Sequence, residues 1–171
     1  MATAALELEE EIECLPAETA PAARQQERVL LIEDSEEAMF MVRYALQEYG
    51  NGRYRLEWAN RLSAGLDYLS QGGIDIVLLD LGLPESSGPE SYAWVREIAP
   101  QVPVVVLTGD ERAETEFAVT ASGAEGYLVK DQVSGALLLQ VIGAALYANK
   151  QQRNQPSSII RKLLTTRFRI G

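Results

Sequence analysis

Five short apolar runs, each followed by room for one helix, constrain this chain more than any other feature of its sequence. They are RVLLI (28–32), YRLEWA (54–59), IDIVLL (74–79), VPVVVLT (102–108) and GYLVK (126–130). Several are apolar at consecutive positions rather than at alternate ones, the mark of strands covered on both faces. Between the first two runs, Ala38, Met41, Val42, Ala45, Leu46 and Tyr49 recur at helical spacing, and Gly50 and Gly52 end the pattern. Asn60 is placed to cap a second helix carrying Leu62, Leu66 and Leu69, which stops at Gly72-Gly73. Further helices are expected across 89–99, 111–122 and 132–149. Five such β-α units in about 120 residues require a parallel sheet with helices on both sides. An apolar content of 47% is enough to fill that core.

The flanks read differently. Residues 1–27 are rich in Ala and Glu, carry Pro16 and Pro21, and are expected to be a mostly disordered acidic extension. The domain proper is expected over 28–150, and QQRNQPSS (151–158) reads as a polar linker. Within the 151–171 tail, Ile159, Ile160, Leu163, Leu164 and Phe168 fall at helical spacing among Arg161, Lys162, Arg167 and Arg169. That tail suits a mobile extension or a short amphipathic helix against the acidic body. Binding to an anionic membrane or nucleic acid is a further reading.

Composition removes several chemistries. Cys14 is the single cysteine, so no intrachain disulfide and no thiolate metal cluster can form. The chain has no histidine, which excludes Ser-His and Cys-His catalysis, imidazole metal sites and a phosphohistidine of its own. Net charge is −6 over residues 1–27, −10 over 28–149 and +6 over 150–171. An acidic body repels nucleic-acid phosphates. No run approaches the roughly 20 apolar residues of a membrane span, and the start lacks the basic region of a signal peptide. A cytoplasmic protein without a membrane span is expected.

The chemistry gathers at the strand ends. In an open parallel sheet, sites form at the carboxyl edge. There the first run ends in Glu33-Asp34, the third in Asp80, the fourth in Thr108 and the fifth in Lys130. A lone aspartate before a turn often only bonds the nearby backbone. Three acids converging with a lysine are another matter. Two unit charges about 4 Å apart repel by roughly 4 kcal/mol at an effective dielectric near 20, so a proton or a cation must be supplied. Oxygen ligands alone select Mg²⁺, or Mn²⁺. Lys130 has no place among metal ligands and suits a phosphoryl oxygen instead. Thr108 can donate to another such oxygen, and Gly109 leaves room beside it. Asp80 is the member able to act as nucleophile in phosphoryl transfer, where stabilising charge is most of the catalysis.

In VLLIEDS (29–35), DIVLLDLGLP (75–84), PVVVLTG (103–109) and AEGYLVK (124–130), the chain resembles the receiver domain of two-component response regulators, in motif order and in spacing over about 120 residues. The resemblance implies an α/β, flavodoxin-like doubly wound sheet of five parallel strands in the order 2-1-3-4-5. It implies Asp80 as phosphoacceptor, with Mg²⁺ held by Glu33, Asp34, Asp80 and the Gly82 backbone carbonyl. Thr108 resembles the switch hydroxyl, Lys130 the phosphate-pairing lysine, and Tyr127 the aromatic that turns inward after the threonine moves. Gly82 and Asp110 stand where this family tunes phosphate lifetime. One departure is visible. Asp131 follows Lys130 where the family often has a cis proline, so a trans bond and a different loop are expected.

The implied function is a phosphorylation-dependent switch, not an enzyme in the ordinary sense. It would be fed by a histidine kinase or histidine phosphotransfer protein and read by a downstream protein target. The expected output surface is the 111–149 face, through which two copies could also pair, because 151–171 is too short for a DNA-binding output domain. Met39 and Phe40 fall off the buried period of the first helix and read either as an irregular core edge or as a kinase-docking patch. Two rivals remain. A haloacid-dehalogenase-type phosphatase needs a second aspartate where Gly82 stands. A degenerate receiver acting only as a binding or dimerisation module would not need all the site residues present here.

Overall fold

Five parallel strands pair in the order β2-β1-β3-β4-β5 in the computed structural model, which describes residues 26–86, 88–109 and 123–154. They are β1 (Glu27–Ile32), β2 (Tyr54–Ala59), β3 (Ile76–Leu79), β4 (Val104–Thr108) and β5 (Gly126–Val129). The three inner strands are apolar at consecutive positions because both of their faces are covered. Val29 and Leu31 point into a core with helices α1 (Glu36–Tyr49) and α4 (Gly135–Asn154). Leu30 and Ile32 point the other way, to α2 (Leu62–Gln71) and α3 (Pro89–Ile98). Each such Leu or Ile contributes about 1.5–3 kcal/mol when fully buried. The expected acidic extension, the 111–122 helix, Asp110 and the tail beyond 154 lie outside the described residues.

Ser35 starts α1 by accepting from the Ala38 amide at 3.3 Å, and Glu36 and Glu37 suit the positive end of the helix dipole. The buried face is Met39, Val42, Ala45 and Leu46. This corrects the sequence expectation: Met39 is 4% exposed, whereas Met41 and Tyr49 are 59% and 51% exposed. The physical reason is that α1 packs against α4 as well as the sheet. Met41 and Tyr49 fall on the α4 side, where Met41 lines an open groove with Leu138 and the Tyr49 ring lies beside Gly135, whereas Met39 packs into the core with the strand residues.

The cap expected from Asn60 is also corrected. Arg61 occupies the N-cap position without a side-chain bond, and the cap comes from far along the chain. Glu85, in the loop after β3, accepts from the Ser63 amide at 3.0 Å and from its hydroxyl at 3.3 Å. Gly65 lets α2 lie close on the sheet, since a Cβ there would come within 2.4 Å of the Ile32 side chain.

After β5 the chain makes a 3-10 turn over Lys130–Gln132, and no peptide bond among the described residues is cis. The trans bond expected at Lys130–Asp131 is thus observed. The polar linker expected from 151 instead begins as helix, because α4 runs on to Asn154. Its last turns are tied down by Lys150 to Glu27 at 2.6 Å and by Asn149 to the Gln101 carbonyl at 2.9 Å. No helix of the described residues is long and apolar enough to cross a membrane.

Candidate functional site at the carboxyl edge of the sheet

β1 and β3 are neighbours in space but head toward different connections, so a cleft opens beyond their carboxyl ends. Glu33 and Asp34 follow β1 directly, and Asp80 follows β3. One carboxylate oxygen from each of the three lies within 4.8 Å of the others. Glu33 and Asp80 are buried, while Asp34 faces solvent. Lys130, the first residue after β5, reaches back across the cleft. Its Nζ lies 2.6 Å from Glu33 Oε2 and 2.9 Å from Asp80 Oδ2.

The remaining oxygens of the two buried acids are bound locally. Asp80 Oδ1 accepts from the Gly82 amide at 3.0 Å, and Glu33 Oε1 accepts from the Ser35 amide at 3.2 Å. A Cβ on Gly82 would stand 3.3 Å from Asp80 Oδ2, so glycine keeps the approach to that oxygen open. Burial pushes the Glu33 carboxyl above its ordinary value and the negative Asp80 adds to this, against the pull of Lys130. Burial works to lower the Lys130 ammonium, but its pairing with Glu33 and Asp80 outweighs that and raises it. The site is therefore short of positive charge, and the lysine supplies what it has.

The donor set suits a hard divalent cation. All three side-chain ligands offer oxygen, and Glu33 Oε2 is buried with no hydrogen-bond partner among the described residues beyond the Lys130 ion pair. Thr108, 1% exposed, ends β4 on the same edge. Tyr127 is half-buried on β5, opposite Val106 and two residues along the register from Thr108.

Phe40 is 57% exposed on α1, with the Arg43 guanidinium 5.7 Å from its ring centre. Met39 does not share that surface, so the expected two-residue patch is reduced to Phe40. A groove of about 290 Å³ beside the acids is lined instead by Met41, together with Ser35, Lys130, Ser134 and Leu138. Two supports were not visible in the sequence. One is Glu85 at the start of α2. The other is Trp58, whose indole N–H donates to the Glu33 backbone carbonyl at 2.7 Å.

Fold and site together define a doubly wound α/β domain with an acidic, lysine-bridged cleft at the switch point between β1 and β3. The chain belongs to the response regulator receiver domain family, which it matches over residues 29–142. It is therefore a receiver domain of two-component systems, a signalling domain rather than a classical enzyme. It is 31% identical over 102 residues to the swarming motility regulation protein RssB of Serratia marcescens, covering 60% of this chain and 45% of that protein. It is also 31% identical over 109 residues to the alginate biosynthesis transcriptional regulatory protein AlgB of Pseudomonas syringae, covering 64% of this chain and 24% of that one. The chain thus spans less than half the length of either relative. Among solved structures, the CheY-like receiver domain protein of Methanospirillum hungatei superposes with a TM-score of 0.67 at 23% identity, covering 75% of this chain and 99% of that one. The chemotaxis protein CheY4 of Vibrio cholerae does so with a TM-score of 0.62 at 27% identity, covering 71% and 99%.

Proposed function

We propose that the chain is a phosphorylation-dependent signalling switch that accepts a phosphoryl group on Asp80 and signals by binding another protein, as a stand-alone response regulator. The observation that carries this reading is Lys130 bridging Glu33 and Asp80 beside the exposed carboxylate of Asp34. Glu33, Asp34, Asp80 and the Gly82 carbonyl would hold Mg²⁺, with Mn²⁺ as substitute. When bound, that cation supplies charge that offsets the acids and the arriving phosphoryl oxygens.

The chain's own residues do the rest. A carboxylate oxygen of Asp80 attacks phosphorus, forming an O–P bond as the bond to the donor's leaving group breaks. The 171 residues contain no histidine, so the phosphohistidine is supplied from outside them, by a histidine kinase or a histidine phosphotransfer protein. The Gly82 amide orients Asp80 for this attack. Lys130 turns from Asp80 Oδ2 toward the transferred oxygens, pairing as a point charge. Thr108 donates to another of them, and Tyr127 follows it inward.

A hydrogen bond to a charged oxygen contributes about 1.5–3 kcal/mol, whereas moving a switch from 1:99 to 99:1 takes about 5.5 kcal/mol. Thr108 therefore needs Tyr127 packing, the Lys130 pair and the partner to complete the change. The downstream partner would meet the 111–149 face, which is also where two copies could pair. Gly82 and Asp110 would set the phosphate lifetime.

Incubation with Mg²⁺ and acetyl phosphate, followed by intact mass, tests the reading. The expected result is one added phosphate, absent in Asp80→Asn. No gain with the natural sequence would overturn the switch in favour of a phosphorylation-independent binding module.

A further inference from the structure

The Glu33 carbonyl lies just past the end of the sheet ladder. The β1–β2 register closes at Ile32 with Ala59, and the β1–β3 register closes at Ile32 with Leu79. The Ile32 carbonyl still accepts from the Asp80 amide at 3.0 Å, and the Glu33 amide still donates to Ala59 at 3.0 Å. The next group, the Glu33 carbonyl, has no strand amide opposite it. Trp58 supplies the missing donor from its side chain, at 2.7 Å. That indole is fixed in turn, because Trp58 packs among the residues between the sheet and α1.

The bonded carbonyl belongs to the peptide that joins Glu33 to Asp34. Holding that peptide restrains ψ of Glu33 and φ of Asp34, and a change in either one alone would alter the angle between the two residues' Cα–Cβ bonds and so where their carboxylates stand. From this we infer that Trp58 is a positioning residue of the acid pair: by holding the Glu33 carbonyl, its indole N–H aims Glu33 and Asp34 at a shared cation. The inference rests on the proposed function for the identity of that cation. Even a partly buried indole such as that of Trp58 generally finds some acceptor. What gives this one a role is its acceptor, the single peptide linking two of the three acids, at a point where the backbone ladder has run out.

The test measures Mg²⁺ affinity of the full chain by calorimetric titration, well below the unfolding temperature. Trp58→Phe keeps the ring and removes the donor. Leu146→Val, in the same core but on α4, serves as a variant destabilised without touching the site. The natural sequence and Leu146→Val should bind equally, and Trp58→Phe roughly 2- to 10-fold more weakly, the equivalent of one net hydrogen bond. Equal weakening in both variants, or none in Trp58→Phe, would overturn the positioning role alone. Failure of the natural sequence to bind Mg²⁺ would overturn the functional reading and this inference with it. A second readout needs no variant: the Trp58 indole N–H proton resonance should move during Mg²⁺ titration. A resonance that stays fixed while the Glu33 and Asp34 amides shift would count against the link.

Discussion

The Lys130 ammonium lies 2.6 Å from the buried carboxylate of Glu33, although Glu33 follows the first strand and Lys130 the last. That pair spans the sheet and places the lysine's charge beside Asp80. Lys130→Met would leave two buried acids without it, at a cost of about 1–3 kcal/mol for unsatisfied buried groups. Mg²⁺ should then restore more stability to Lys130→Met than it adds to the natural sequence, because the ion no longer competes with an ammonium. Thermal unfolding with and without Mg²⁺ checks this. Equal increments in the two proteins would show that lysine and cation do not share the acids.

Coupling from site to surface is expected to run through Thr108, which is buried at the end of β4. Thr108→Ala should still take up phosphate from acetyl phosphate but lose most of its phosphorylation-dependent partner binding. Binding that responds to phosphorylation as strongly as in the natural sequence would argue that the hydroxyl is not the relay.

Glu85 holds the loop after Asp80 to the first turn of α2 through Ser63. Glu85→Ala should cost about 0.5–1 kcal/mol, the low end for a lost helix cap, because both bonds are exposed. Urea denaturation measures it, and Ser63→Ala in the same background should add little, since the partner is already gone.

At the opposite end of the sheet, Glu27 meets Arg53 at 2.9 Å and Lys150 at 2.6 Å. Burial works to raise the Glu27 carboxyl, but the bonds from Lys150 and Arg53 outweigh it and hold the group below its ordinary value. A lowered value means stability that is present above the ordinary carboxylate range and is lost as pH falls through the lowered one. Both bases are more than half exposed, so each pair contributes under about 1 kcal/mol, less in high salt. Glu27→Gln should flatten the acid limb of a stability–pH curve, most visibly at low ionic strength. An unchanged slope would mean that the clasp does not survive in solution.

Phe40 and Met39 should now separate in experiment. Phe40→Asp, at an exposed site, should change stability by no more than about 0.5 kcal/mol. It should slow phosphoryl transfer from a histidine kinase more than from acetyl phosphate. Met39→Asp should unfold much of the protein, because it buries a charge between α1 and the sheet. Equal slowing of both donors by Phe40→Asp would remove α1 as a docking surface.

The strand order followed from the resemblance to receiver domains, whereas the parallel sheet and the gathering of Glu33, Asp34, Asp80 and Lys130 were legible from the residues themselves. Strands buried on both faces must be apolar throughout, and polar residues at their ends have one edge to occupy, so local composition carries that much. Which flank of α1 is covered was not legible, because α4, some ninety residues later, lies along the Met41 and Tyr49 side and leaves an open groove there, whereas Met39 reaches the core against the sheet. The supports from Trp58 to Glu33 and from Glu85 to Ser63 were equally hidden. Each joins groups more than twenty residues apart, and no spacing along a chain reports where a free carbonyl or an uncapped helix end will find its donor or acceptor. Local order set out the strands and their acids, and packing between distant segments decided how those acids are held.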